Sequence, residues 1–99
     1  MEENRYRESR LCRVLGNPLA YSLVCSLIEN GPKGPSEIAA ALGRSTATVS
    51  HALGKLRLAE LVRFDRSGRT ARYRVKYPKE TAGLIRALEI FERATLHGK

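Results

Sequence analysis

The stretch Ser45-Thr46-Ala47-Thr48-Val49-Ser50-His51-Ala52-Leu53-Gly54-Lys55-Leu56 decides how the whole chain is read. It follows Gly43-Arg44, and the Ser45 hydroxyl stands where it can accept from the free N–H groups of a first helical turn, so a helix begins at Ser45 within about a residue. At about 100° per residue, Val49, Ala52, Leu53 and Leu56 share one face, while Ala47, Ser50, His51 and Gly54 fall on or toward the other. The first face is core. The second carries short hydroxyls and an imidazole, which can meet base edges and phosphates without holding the helix out of a groove about 12 Å wide. An ordinary amphipathic helix with a Ser/Thr-rich polar face has the same pattern, so the surrounding sequence has to decide.

Charge decides first. The chain has 99 residues, a net charge of +8 and a pI near 10.1, which favours a polyanionic partner. Residues 44 to 79 hold ten Lys/Arg against only Glu60 and Asp65, and the remaining residues hold eight of each sign. All the excess positive charge therefore lies in the segment that opens with this helix, which an evenly solvated surface would produce only by chance.

Immediately upstream, Ser36 to Leu42 reads as a short helix with Ile38, Ala39 and Leu42 on one face and Gly43 past its end. With the tight Gly43-Arg44 link, the two helices form a helix-turn-helix. Downstream, Leu61-Val62-Arg63-Phe64-Asp65-Arg66 and Thr70-Ala71-Arg72-Tyr73-Arg74-Val75 alternate with period two around Ser67-Gly68-Arg69, which reads as a β-hairpin wing. Val62, Phe64, Ala71, Tyr73 and Val75 can face the core, leaving Arg72 and Arg74 to solvent and Arg66 and Arg69 at or near the tip. A solubilised edge strand would also be arginine-rich, but a reader helix directly precedes this one. The expected DNA-contact set is Arg44, Ser45, Thr46, Ala47, Thr48, Ser50, His51 and Lys55 from the helix, with Arg66, Arg69 and Arg72 from the wing.

The ends complete the order. Glu2 to Leu15 carries Tyr6, Leu11, Val14 and Leu15 among charged residues and reads as a first helix ended by Gly16. Asn17-Pro18 opens a second, largely buried helix that stops at Asn30-Gly31, followed by the rigid link Gly31-Pro32-Lys33-Gly34-Pro35. Tyr77-Pro78 breaks the second strand, and Lys79 to Leu96 forms a last helix with Leu84, Ile85, Leu88, Phe91 and Leu96 apolar. That helix has little left in its own chain to cover it. With Tyr6 and Leu11 of the first helix, Leu84, Ile85, Leu88 and Phe91 are expected to form a two-fold homodimer interface, setting two reader helices about one DNA turn apart. The fold class is α+β, mainly α, one winged helix-turn-helix domain over residues 1–99 in the order α-α-α-α-β-β-α.

At Leu15-Gly16-Asn17-Pro18-Leu19-Ala20, Glu37-Ile38-Ala39-Ala40-Ala41-Leu42-Gly43, Ser45 to Leu53, Leu61-Val62-Arg63 and the Tyr73-containing strand, the chain resembles the ArsR family of winged-helix transcriptional repressors. The resemblance runs from about residue 10 to 76 and implies a homodimeric repressor on a palindromic operator. Two departures concern the details of base reading, not the fold: His51 and Ala52 stand where a polar residue then His is common, and Glu60 stands where glycine is usual. A third concerns sensing. The family's thiolate site has cysteines at the start of the third helix, where this chain has Pro32-Lys33-Gly34-Pro35-Ser36-Glu37, and the paired ligands along the last helix reduce to His97.

No metal or other cofactor is therefore expected, since Cys12, Cys25, His51 and His97 lie on four different elements and a transition-metal site needs about four donors at workable spacing. Catalysis is not expected either: there is no Cys/His or Ser/His/Asp spacing, phosphate loop or carboxylate pair. Two cysteines without C-x-x-C, no leader-like start and no run of about 20 apolar residues point to a reduced cytoplasmic protein away from membranes. Cys12 and Cys25 are read as small buried apolar residues, with a thiol response as the other reading. The effector is left open. The functional alternative is a winged-helix module whose basic face meets an acidic protein partner.

Overall fold

The computed structural model describes residues 2–98, apart from the Ser67 side chain. Its elements are α1 (Glu3–Leu15), α2 (Pro18–Asn30), α3 (Pro35–Leu42), α4 (Thr46–Leu58), β1 (Val62–Ser67), β2 (Thr70–Val75) and α5 (Pro78–His97). This is the expected order of a winged helix-turn-helix. Several ends move by a residue or two, for local reasons. Glu2 precedes α1 in extended conformation, and Pro35 and Pro78 occupy the first turns of α3 and α5, where a missing N–H costs nothing.

Two helix starts follow their side chains. Asn17 Oδ1 accepts from the Ala20 N–H at 3.0 Å, and Ser45 Oγ accepts from the Thr48 N–H at 3.1 Å. Two helix ends share one motif. After α3, Gly43 has φ 66°, the Arg44 N–H reaches the Ala39 carbonyl and the Gly43 N–H that of Ala40. After α4 the Leu61 N–H reaches Leu56 and the Glu60 N–H reaches Arg57, and here the left-handed residue is Glu60, also at φ 66°. The motif turns the chain from α4 into the wing and buries Leu61 beside Leu56.

The core is built from Leu23, Val24 and Leu27 of α2, Ile38 of α3, Val49, Leu53 and Leu56 of α4, and Val62 and Val75 at the base of the wing. Seven of these side chains are less than 2% exposed, and burial at that level stabilises by roughly 1.5–3 kcal/mol each. α1 buries no residue, and α5 buries only Thr81. Both terminal helices lie on the domain rather than in it, and no single described helix is long and apolar enough to cross a membrane.

The strands pair antiparallel from Val62↔Val75 to Ser67↔Thr70. The turn is therefore the two residues Gly68-Arg69, not the three of Ser67-Gly68-Arg69, because Gly68 takes φ 61° and lets Ser67 and Thr70 remain in the ladder. Lys33 joins the far side of β2 through backbone bonds in both directions with Tyr73, 3.1 and 2.8 Å long. The connector before α3 thus covers the edge of the wing.

Candidate nucleic-acid interface

On α4, Val49, Leu53 and Leu56 are buried, Ala52 is half-buried, and Thr46, Ala47, Thr48, Ser50, His51 and Lys55 are exposed. The separation follows from helical periodicity alone: the apolar residues fix which side faces the core and so which side faces out. The Ser45 hydroxyl accepts from the Thr48 N–H and donates to Thr48 Oγ1 at 2.8 Å, so it organises the first turn while Thr46, Ser50 and His51 stand clear.

The cations of residues 44–79 divide into two groups. Arg57 lies over the Phe64 ring, 5.4 Å from its centroid, and Phe64 in turn meets Tyr73 edge-on. Asp65 holds Arg74 at 2.5 Å and Arg63 at 3.2 Å. The Arg74 hydrogen bond first, with the charges of Arg74 and Arg63 adding to it, holds this carboxyl below the usual carboxylate range against the opposing effect of desolvation. Lys76 pairs with Glu60 at 2.9 Å, a hydrogen bond that raises the ammonium's pKa. Arg44, Lys55, Arg66, Arg69, Arg72 and Lys79 have no acidic partner among the described residues and are exposed. Arg74, expected on the open solvent face, is half-buried and tied to Asp65; Arg66 pairs with Ala71 in the row that also carries Phe64 and Tyr73.

Beside α4 lies a cleft of about 510 Å³ whose walls include Arg13, Asn17, Arg44, Thr48, His51 and Lys55. Arg13 comes from the end of α1, which the sequence assigns to the dimer interface. No carboxylate lines this cleft.

A protein-family model described as HVO_A0114 matches residues 17–82. The solved transcriptional repressor BigR from Xylella fastidiosa is 31% identical, with 90% of each chain covered and a TM-score of 0.76. The chain belongs to the HVO_A0114 family and is an ArsR-type winged-helix transcriptional regulator. HlyU from Vibrio vulnificus, a transcriptional regulator, is 26% identical over 92% of this chain and 93% of its own, TM-score 0.75. The homodimeric winged helix-turn-helix DNA-binding domain of Mb0332 from Mycobacterium bovis shares the fold, with TM-score 0.82 at 21% identity, covering 100% of this chain and 94% of its own. No curated protein sequence matches the chain.

In this ArsR-type regulator the Glu60 departure has a backbone meaning: the position requires a left-handed residue, and glutamate occupies it. No group of three or more His, Cys, Asp or Glu side chains comes together among the described residues. On the side formed by α1, α2 and α5, Leu11, Cys12, Leu15, Tyr21, Leu84 and Leu88 line an apolar groove of about 410 Å³. Leu84 and Leu88 are each 42% exposed, Tyr6 51% and Phe91 71%, whereas Ile85 is half-buried against the chain's own core. Cys12 is exposed, contrary to its reading as a core residue, because α1 packs on the core only through Val14 and Leu15. Cys25 is half-buried, and burial pushes its thiol pKa up, partly offset by a hydrogen bond from Tyr21.

Proposed function

We propose that this regulator acts as a homodimer that binds a palindromic double-stranded operator and represses transcription without a metal effector. The carrying observation is the exposed row Thr46, Ala47, Thr48, Ser50, His51 and Lys55, held in place by buried Val49, Leu53 and Leu56. Those side chains approach base edges in the major groove. Arg44 and Ser45 lie at the entry of α4, and Arg66, Arg69 and Arg72 meet backbone phosphates or the adjacent minor groove.

The groove between α1 and α5 supports the dimer. Leu11, Leu84 and Leu88 stand exposed together along it, and a second copy laid across them covers the groove by a two-fold axis. That axis spaces the two α4 helices for successive major grooves, about 34–36 Å apart. Repression follows from the likeness to BigR, a transcriptional repressor; independence from metal follows the missing ligand sets at Pro32 to Glu37 and on α5.

The test is a mobility shift on random duplex and on fragments recovered from genomic DNA, in low and moderate salt. The reading expects salt-sensitive binding to both, tighter to the recovered fragments. No binding even in low salt overturns it in favour of an acidic protein partner.

A further inference from the structure

The cleft between α1, α2 and α4 brings to the cations of the helix-turn-helix one arginine, Arg13, that neither helix-turn-helix nor wing supplies. Three cationic side chains from three segments line it, Arg13 from α1, Arg44 from the link before α4 and Lys55 from α4, with the His51 imidazole in the same wall. None has an acidic partner among the described residues. Like charges gathered without a counter-charge repel one another, so the arrangement gains when an anion enters.

Its place on α4 says which anion. At about 100° per residue, Thr48, His51 and Lys55 occupy one flank of the exposed face, while Arg57 lies roughly half a turn from Thr48 and Lys55. Arg57 is the residue stacked on Phe64 of the wing. Cleft and wing therefore stand on opposite flanks of the same helix. A helix lying in a major groove has a phosphate backbone on each side; the wing side meets one strand, and the cleft side meets the other.

We infer that this cleft seats a backbone phosphate of the DNA strand on the side of α4 away from the wing, and that Arg13 contacts it. The inference rests on the DNA-binding reading and extends the interface to α1. Arg13 is then a positioning residue: it fixes the register of α4 in the groove and carries no base information.

The experiment compares wild type, Arg13→Gln, Arg13→Lys and Arg7→Gln in affinity for a recovered fragment and a scrambled duplex over a salt series. Arg7 is an exposed arginine on the same helix outside the cleft, so Arg7→Gln makes the same change of net charge. The expected result is that Arg13→Gln loses about 0.9 from the magnitude of the log–log salt slope for each phosphate that the dimer no longer neutralises. It should weaken both duplexes by the same factor, with Arg13→Lys close to wild type and Arg7→Gln unchanged. A wild type that binds DNA while Arg13→Gln keeps its full slope overturns the inference and leaves the DNA-binding reading standing. So does an equal loss in Arg7→Gln, or conversion of Arg13→Gln to a monomer in sedimentation. Saturable uptake of inorganic phosphate by wild type but not Arg13→Gln, with unchanged DNA slopes, would give the cleft to a free anion and also overturn it. A wild type with no DNA affinity refutes both readings at once.

Discussion

Replacing Glu60 tests the turn that aims the wing. Glu60 sits at φ 66° between α4 and β1, within the paired hydrogen bonds Leu61 N–H to Leu56 and Glu60 N–H to Arg57. A residue with a Cβ gives up roughly 1–2 kcal/mol to hold a left-handed conformation. Glycine escapes that strain but loses about 0.5–1 kcal/mol of extra freedom on folding. The balance favours Glu60→Gly over Glu60→Ala by about 0.5–1 kcal/mol, and because both lack the carboxylate, the bond to Lys76 cancels from the comparison. In a domain of this size that difference is a few degrees in Tm, about 4–8 °C per kcal/mol. Gly43→Ala supplies the converse: a Cβ there would meet nothing within 4 Å, so its destabilisation of about 0.5–1 kcal/mol is conformational alone. The assay is thermal unfolding of all four proteins at one concentration, since dimerisation makes Tm concentration-dependent. If Glu60→Ala is as stable as Glu60→Gly, or Gly43→Ala matches wild type, the left-handed strain argument fails.

Other perturbations bear on the interface and the assembly. Arg69→Ala and Arg72→Ala should each flatten the salt dependence of DNA affinity by about 0.9 for every phosphate left without its arginine; unchanged slopes would remove the wing from the interface. Leu88→Glu should give monomers in sedimentation and lose tight operator binding together, whereas a wild type already monomeric at micromolar concentration would end the dimer reading. Asp65 has a depressed pKa, so its stabilising bonds to Arg74 and Arg63 are fully present above the ordinary carboxylate pKa and are lost as pH falls through the lower folded value. Asp65→Asn should therefore lack that part of the acid-induced loss of stability; acid unfolding curves of equal steepness would contradict the pairing.

Local chemistry made much of the fold legible. Asn17-Pro18, Ser45 and the alternation in Leu61 to Val75 each mark their element through a side-chain cap, a fixed φ or a two-residue period, and none needs the rest of the chain. Strand register was not legible in the same way. Whether Asp65 captures Arg74, and whether Arg66 stands opposite Ala71, depends on the turn being two residues long. That length depends on the φ of Gly68. The exposed face of α4 was legible because burial of Val49, Leu53 and Leu56 dictates it. Arg13 was not: sequence places it on an amphipathic helix with Leu11 and Leu15, and only the 91° bend between α1 and α2 brings it into the wall of the cleft that His51 also lines. The burial expected for Cys12 fails for the same reason, since an apolar-looking helix position says nothing about whether the chain itself covers it.

The central claim is that the outer face of α4 reads base sequence. Its most direct measurement is the ratio of affinities for a recovered genomic fragment and its scrambled counterpart, compared between wild type and His51→Ala at one salt concentration. A good base contact is worth about 1–3 kcal/mol of discrimination, so the ratio should fall roughly 5- to 150-fold in the variant while affinity for the scrambled duplex changes little. A ratio that stays the same would contradict the claim at this residue, and a wild type that binds both duplexes equally would contradict it altogether.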